Sequence, residues 1–284
     1  MPQMHTLSQS AEFPSTAPAE CALGFISWGV PFRLSADNLS LLDLMCQQVP
    51  FGSVEDSSLS PGASQLSLRT DFPDGRFQLM MDGELIAAEG TMDQALAQLR
   101  GHLIVHVTEY APEYVFVHAG VVAWHDRALL LPGITRAGKS TLVSELVRLG
   151  ATYYSDEFAL IDSDGKIHPF ARDLRMRQPD KSEKTLIPLA QLNGRAGTQP
   201  LPVAMIVFAQ FVENAHWAPE PVSPGRAVLE TLLHTTPVRR SPARVLTTLT
   251  KMIRSATAWR SQRGDAAVAA RSLLSALATG EAPV

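Results

Sequence analysis

Cysteine is nearly absent from this 284-residue sequence, which has only Cys21 and Cys46. Their spacing is not that of a metal-ligand pair, and so thin a supply excludes a disulfide-stapled fold and suits a reducing compartment. Lysine is scarce too, five residues against nineteen arginines. The formal net charge of −4 excludes a global attraction to nucleic acid or to an anionic membrane surface. No apolar run approaches the roughly 20 residues that span a bilayer, and the N-terminal stretch lacks the basic segment and apolar core of a secretory signal. These absences lead to the expectation of a soluble, cytoplasmic protein with no nucleic-acid or membrane partner. What is present is ordinary, 45% hydrophobic and 18% charged residues, enough for one large domain or two modest ones.

Residues 1–20 are rich in Ser, Pro, Ala and Gln, show no periodicity, and read as a disordered leader. From Leu23 the pattern turns apolar, and GFISWGVPFRLS reads as a strand broken near Pro31. Residues 40–49 form a short amphipathic helix, and residues 51–63, with Gly, Ser, Asp and Pro, a loop. Two strands, Gln65–Arg69 and Arg76–Met81, flank a Pro-Asp-Gly turn at residues 73–75, and Gly83 turns into a third, Glu84–Ala88. Thr91 caps a helix from Met92 to about Tyr110, with apolar Ala95, Leu96, Leu99 and Leu103, and Pro112 ends it. Residues 21–110 are therefore expected to form an N-terminal accessory α/β subdomain. Tyr114–Trp124 predicts one or two buried strands bent around Ala119-Gly120, and His125-Asp126 a tight turn into the next strand. Such a hairpin departs from the helical crossovers of a plain doubly wound sheet.

The stretch RALLLPGITRAGKST, residues 127–141, carries the most chemistry. A buried strand, Ala128–Leu131, precedes Gly133-Ile134-Thr135-Arg136-Ala137-Gly138-Lys139-Ser140, and a helix runs from Thr141 to Leu149 with Gly150 closing it. G-x-x-x-x-G-K-S between a strand and a helix is the arrangement that binds a triphosphate. Its glycines let backbone N–H groups turn inward around phosphate, and the helix adds its positive dipole end. Lys139 reaches the β- and γ-phosphates, and the Ser140 hydroxyl ligates Mg²⁺. Residues 133–141, ending in Thr141, are thus the expected nucleotide-binding set.

Fifteen to seventeen residues beyond Ser140 stands Ser155-Asp156-Glu157, an acidic step within the strand pattern ATYYSDEFALI. Phosphoryl transfer uses one carboxylate to hold Mg²⁺ and another to orient or deprotonate the attacking hydroxyl. Asp156 and Glu157 are the candidates, with the two roles left open between them. His118 ends an apolar strand one hairpin before the loop and is a further candidate, although a lone histidine there also suits a core. His102 and His106 lie four apart on a predicted helix, but a zinc site needs three or four ligands and no third is evident. Arginines suit the charge that spreads over a transferring phosphate. Arg136 lies in the loop, Arg172, Arg175 and Arg177 come after Pro169-Phe170, and Arg226 after Pro224-Gly225. Asp162–Lys166 reads as a turn, and Pro202–Gln210 as the clearest buried strand within residues 167–210. From Pro224 onward the pattern is read as helical, with Ala227–His234, Ala243–Arg254 and Ala266–Ala278 the main segments.

Together, His118-Ala119, the Gly133–Ser140 loop, Ser155-Asp156-Glu157 and Pro224-Gly225-Arg226 resemble the catalytic domain of HPr kinase/phosphorylase over about residues 114–240. That family shares its phosphate-loop architecture with phosphoenolpyruvate carboxykinase. Ala119 stands where the family has glycine and Glu157 where it has a second aspartate, and the chain looks more like the divergent HPr-kinase-related proteins, some of which accompany peptide-modification pathways and phosphorylate serine in a lasso-peptide precursor. The resemblance implies an α/β fold: a P-loop kinase core of the HPr kinase/phosphoenolpyruvate carboxykinase type, residues 111–240, with a helical C-terminal tail over 241–284. It implies ATP and Mg²⁺ as cofactors, a peptide or small-protein acceptor, and a possible homo-oligomer. In it Asp156 would be the base, Glu157 would help hold the metal, His118 would lie near the γ-phosphate, and Arg172 and Arg226 would contact substrate or transferred phosphate. A small-molecule kinase on the same scaffold, or a nucleotide-gated binding protein without catalysis, are the alternative expectations.

Overall fold

Two apolar runs, residues 115–124 and 127–132, are separated by a two-residue turn, and the larger part of the fold is built on either side of the hairpin they form. The computed structural model describes residues 21–58, 62–70, 75–133, 137–172, 174–177 and 184–283. The expected leader, Pro73 and Asp74 of the expected turn, and loop residues Ile134, Thr135 and Arg136 lie outside the described residues. Among those described, the chain is mixed α/β, with two mixed sheets, a two-stranded sheet and six α-helices. No helix among them is long and apolar enough to cross a membrane.

The chain divides into two compact units. The first, which includes Pro31–Val49 and Val54–Gly101, carries most of a six-stranded sheet. Its elements are β1 (Cys21–Ser27), β2 (Val30–Ala36), α1 (Leu39–Cys46), β3 (Ser53–Glu55), β4 (Ser64–Arg69), β5 (Phe77–Met81), β6 (Glu84–Glu89) and the first half of α2 (Met92–Tyr110). The strand order is β3-β1-β2-β4-β5-β6, with β2 and β4 parallel. The break expected near Pro31 falls instead at Trp28-Gly29, both at positive φ, because a two-residue hairpin turn needs that conformation. The stretch 51–63, read as a loop, contains the short edge strand β3. Helix α2 keeps its expected bounds. Thr91 accepts the Gln94 N–H at 3.3 Å, and Ala95, Leu99 and Leu103 are buried.

The second unit comprises Ser27–Val30, Pro50–Ser53 and His102 onward, so the boundary expected at residue 110 lies within α2. Its strands and helices are β7 (Val115–Trp124), β8 (Arg127–Pro132), α3 (Lys139–Arg148), β9 (Thr152–Ser155), β10 (Phe158–Ile161), β11 (Lys166–His168), β12 (Leu174–Arg177), β13 (Lys184–Ile187), β14 (Leu201–Phe211), β15 (Glu220–Pro221), α4 (Pro224–Leu232), α5 (Pro242–Ile253), β16 (Thr257–Arg263) and α6 (Ala266–Thr279). The main sheet runs β11-β10-β7-β8-β14-β16-β15, with β9 also on β7 and the start of β14 closing back onto β11. Strands β8, β14 and β16 are parallel, while the β7–β8 hairpin is antiparallel as expected. Of the one or two strands expected over 114–124, the chain forms one, Val115–Trp124, continuous through Ala119-Gly120.

Alternation along the strands sorts the core into two layers. Val115, Val117, Ala119, Val121 and Ala123 of β7 pack with Ala128 and Leu130 of β8 and with residues of α4 and α5. Val122, Leu129 and Leu131 face the other way, onto Leu142, Val143, Leu146 and Val147 of α3 and the apolar stripe of α6. Both faces are therefore covered, which is why these strands read as continuous apolar runs. The tail read as helical over 241–284 is corrected by β16, which pairs in parallel with Met205–Phe211 inside the sheet. Its sequence, TAWRSQR, is rich in polar and charged residues and ends in an inward arginine, so neither period stands out.

Gly120 makes the α3 layer possible. A Cβ there would lie 2.6 Å from Val143 Cγ2, on a stiff, fully buried side chain. Gly120→Ala should therefore destabilise the unit by about 1–3 kcal/mol through overpacking, despite the entropy that alanine removes from the unfolded chain. Urea denaturation would report a lower midpoint, and an unchanged or raised one would show that helix and strand give way without cost.

Candidate active site

The carboxyl ends of β8, β14 and β16 lie at one edge of the sheet because the three strands are parallel. Antiparallel pairing brings the middle of β7 and the end of β9 to that same edge, with Ala119 opposite Pro132 and Val121 opposite Ser155. The crevice beyond the carboxyl ends of parallel strands is where α/β sheets bind ligands. Here Gly133, Ala137, Gly138 and the first turn of α3 stand at it.

The helix begins at Lys139, two residues earlier than expected, with Gly138 as its N-cap at φ +81. That left-handed conformation and the neighbouring side chains both demand glycine: a Cβ would stand 2.5 Å from an Arg263 Nη atom. Gly133, at the loop's other end, donates its N–H to the His118 carbonyl at 3.2 Å. Lys139 is 9% exposed, and its Nζ donates to the Gly133 carbonyl at 2.6 Å, so the lysine reaches back to the end of β8. Ala137 accepts from the Phe211 N–H at 3.3 Å, and Thr141 lies in the first turn of α3.

The pattern ATYYSDEFALI, read as one strand, is two short strands on the same edge of β7, separated at Asp156-Glu157. Ser155 makes the step: its Oγ accepts from the N–H groups of Glu157 and Phe158, both at 3.1 Å. Across from it, Ala119 donates its N–H to the Glu157 carbonyl at 3.2 Å. The displaced Asp156 carboxylate accepts from Ser140 Oγ at 3.2 Å and from the Tyr153 hydroxyl at 3.0 Å. Tyr153 is fully buried, and burial first, then the Asp156 charge, pushes its phenol well above the ordinary value. It remains a hydrogen-bond donor.

Glu157 forms an ion pair with Arg172 at 3.0 Å, which draws that arginine to the acidic step. His118, half-buried, packs its ring edge to face with Phe158, its cross-strand partner, at 5.6 Å. Among the expected residues, then, Gly133, Ala137, Gly138, Lys139, Ser140, Asp156, Glu157, Arg172 and His118 meet at one edge. Arg226 pairs instead with Glu230 at 2.9 Å on α4, and Glu230 also takes Arg260. Among the described residues, no hydrogen bond joins Arg226 to the loop. Arg175 lies opposite Leu186, and Arg177 opposite Lys184, in the β12–β13 pair.

Three residues of this edge carry no signal in the sequence. Tyr153 reads as one more strand aromatic. His234 lies just beyond α4, and its carbonyl accepts the His118 N–H at 2.7 Å. Arg263 ends β16, in the tail that reads as helical. It is 2% exposed, its Nη2 donates to the Gly138 carbonyl at 2.6 Å, and its guanidinium lies 5.5 Å from the Phe211 ring centroid. Burial pushes its pKa down and Asp265 opposes that shift. The group stays cationic, adding a fixed positive charge beneath the α3 N-terminus.

Burial, and then the charge of Lys139, hold the His234 imidazole below its ordinary pKa. The folded state thus binds fewer protons at this group than the unfolded state, so its stability contribution is present above about pH 6.5 and is lost as pH falls through the depressed folded value. The denaturation midpoint should fall between about pH 7 and pH 5, and His234→Gln should flatten that slope. An equal slope in the variant would remove His234 as its source.

No protein-family model matches the chain, and no curated protein matches it either.

Proposed function

We propose that the chain is an ATP- and Mg²⁺-dependent kinase that transfers the γ-phosphate to a hydroxyl, most simply a serine of a peptide or small protein. The observation that carries this reading is the 3.2 Å contact between Ser140 Oγ and the Asp156 carboxylate at the mouth of a G-x-x-x-x-G-K-S loop. A hydroxyl at the start of the helix and an aspartate at the end of a neighbouring strand are the pair that P-loop enzymes turn toward Mg²⁺. Both offer hard oxygen ligands, and Glu157 adds a third close by in sequence, a donor set that fits Mg²⁺. When bound, that ion would neutralise charge on the β- and γ-phosphates.

The chain's own groups have distinct tasks in this reading. Lys139 exchanges the Gly133 carbonyl for phosphate oxygens. Asp156 orients the acceptor hydroxyl and takes its proton, its carboxylate held in place by Tyr153 and Ser140. Arg172, paired with Glu157, supplies positive charge beside the transferred group. His118 stands on the strand that braces Gly133. The HPr-kinase-related family is the proposed relationship, and within it the acidic step argues for catalysis, since holding a nucleotide requires no positioned base.

The direct test is to incubate the protein with Mg²⁺ and γ-labelled ATP against serine-bearing peptides and small alcohols. Label on a serine side chain supports a peptide kinase, and label on a small alcohol supports a small-molecule kinase. Tight ATP binding with no transfer to any acceptor would leave a nucleotide-gated binding protein.

A further inference from the structure

On the reading that Gly133–Thr141 hold a triphosphate, strand order gives that triphosphate two ends. His118, Asp156 and Glu157 stand on the β7 side of the loop. On the opposite side, the carboxyl ends of β14 and β16 open into a cavity of about 460 Å³ lined by Phe211, Asn214, Trp217, Asp265 and Val268, among others. That volume lies within the range of small-molecule sites.

We propose that this cavity is the nucleoside site, with the base stacked on Phe211 and the ribose hydroxyls hydrogen-bonded at the acidic rim. Its connection to the loop is direct. The Phe211 N–H bonds to the Ala137 carbonyl, and the Phe211 Cβ lies 3.0 Å from where a Gly138 side chain would begin. Phe211 stands at the exposed end of β14 and is itself 49% exposed, while the buried Arg263 guanidinium lies over its ring at 5.5 Å. An aromatic surface held rigid from behind and open in front is a stacking platform for any base. Trp217 is held in place through its indole N–H, which donates to Ser272 Oγ at 2.8 Å, and Val268, 46% exposed on α6, extends the apolar wall.

Charge decides which part of the ligand enters. Glu213 and Asp265 carry carboxylates at the cavity. They would repel a phosphate but accept hydrogen bonds from ribose hydroxyls. Asp265 commits Oδ1 to the Ala267 N–H as the cap of α6, which fixes the direction of its carboxylate. Lys139 and Arg263, in contrast, sit at the loop. The phosphates therefore run from the cavity mouth across Gly138 toward Asp156, and the neutral, hydroxyl-bearing end remains among the carboxylates.

Calorimetric titration of the intact chain with Mg-ATP and with Mg-tripolyphosphate separates the two ends. Wild type should bind ATP more tightly than tripolyphosphate. Phe211→Ala should weaken ATP about tenfold, the scale of one lost base stack, and leave tripolyphosphate within about twofold. Val268→Trp, filling the cavity from an exposed position, should do the same without touching the Phe211–Arg263 packing. If both variants bind ATP as wild type does, or wild type binds the two ligands equally, the nucleoside site is overturned and the loop assignment stands. If wild type binds neither ligand, both are overturned.

Discussion

Lys139→Ala should reduce phosphoryl transfer by at least about a thousandfold, or roughly 4 kcal/mol of transition-state stabilisation. The lysine is buried at the start of α3, beside the helix's positive end, and its ammonium spans the loop to the Gly133 carbonyl. A charge fixed in so dry a place acts on phosphate oxygens with little screening, and no other described lysine stands at the loop to replace it. The variant should also lose part of its ATP affinity, because in the proposed reading the same ammonium contacts phosphate in the ground state. The fold should persist, since removing a buried cation relieves a desolvation cost as it deletes the bond to the Gly133 carbonyl. Initial rates with γ-labelled ATP, beside a circular dichroism check, decide the matter. Turnover near that of wild type would sink the assignment of Lys139 and its loop to the transferred phosphate.

Asp156→Asn isolates the other half of the chemistry. Asparagine has the same shape and still accepts from Tyr153 or Ser140, so the step between β9 and β10 should stay in place. It cannot take a proton from an acceptor hydroxyl. The expected result is a loss of about 10²–10⁴-fold in the rate of transfer, with the affinity for ATP changed by no more than a few fold. Asp156 and Tyr153 form one hydrogen-bonded unit, so Tyr153→Phe should show a smaller loss in the same direction, and the two changes should not add. If Asp156→Asn transfers phosphate at the wild-type rate, the base lies elsewhere. If it instead loses ATP binding and transfer in equal measure, Asp156 serves the Mg²⁺-nucleotide alone and is not the base for the acceptor.

The loop and the strand and helix beside it are legible because their signals are local. Two glycines, a lysine and a serine at fixed spacing, between an apolar run and a 3.6-period, leave few alternatives. Helix α2 is legible for the same reason, down to its cap at Thr91. Asp156-Glu157 is visible as an acidic interruption of an apolar strand, and the structure shows that Ser155 makes that interruption by folding its hydroxyl back on the next two N–H groups. The far wall of the site is not legible. Arg263 reaches Gly138 across 125 residues of sequence, from a strand whose buried positions include serine and arginine. Hydrophobic periodicity reports only burial that is apolar, and β16 is buried partly through charge and hydrogen bonding. His234 escapes notice in the same way, because its link to His118 runs through a backbone carbonyl that side-chain identity does not encode.

The parallel trio β8-β14-β16 has a consequence for how the protein is made. The loop appears less than halfway along the chain, but the strand beneath it pairs with residues 203–206, and the cation under Gly138 arrives only with residue 263. Local contacts form the β7–β8 hairpin early, whereas these pairings must wait for long stretches of chain to be closed. A nascent chain emerging from the ribosome therefore displays its glycine-rich segment long before the strands around it are paired. If the loop holds a nucleotide as proposed, that affinity should switch on late and abruptly, when β16 slots beside β14.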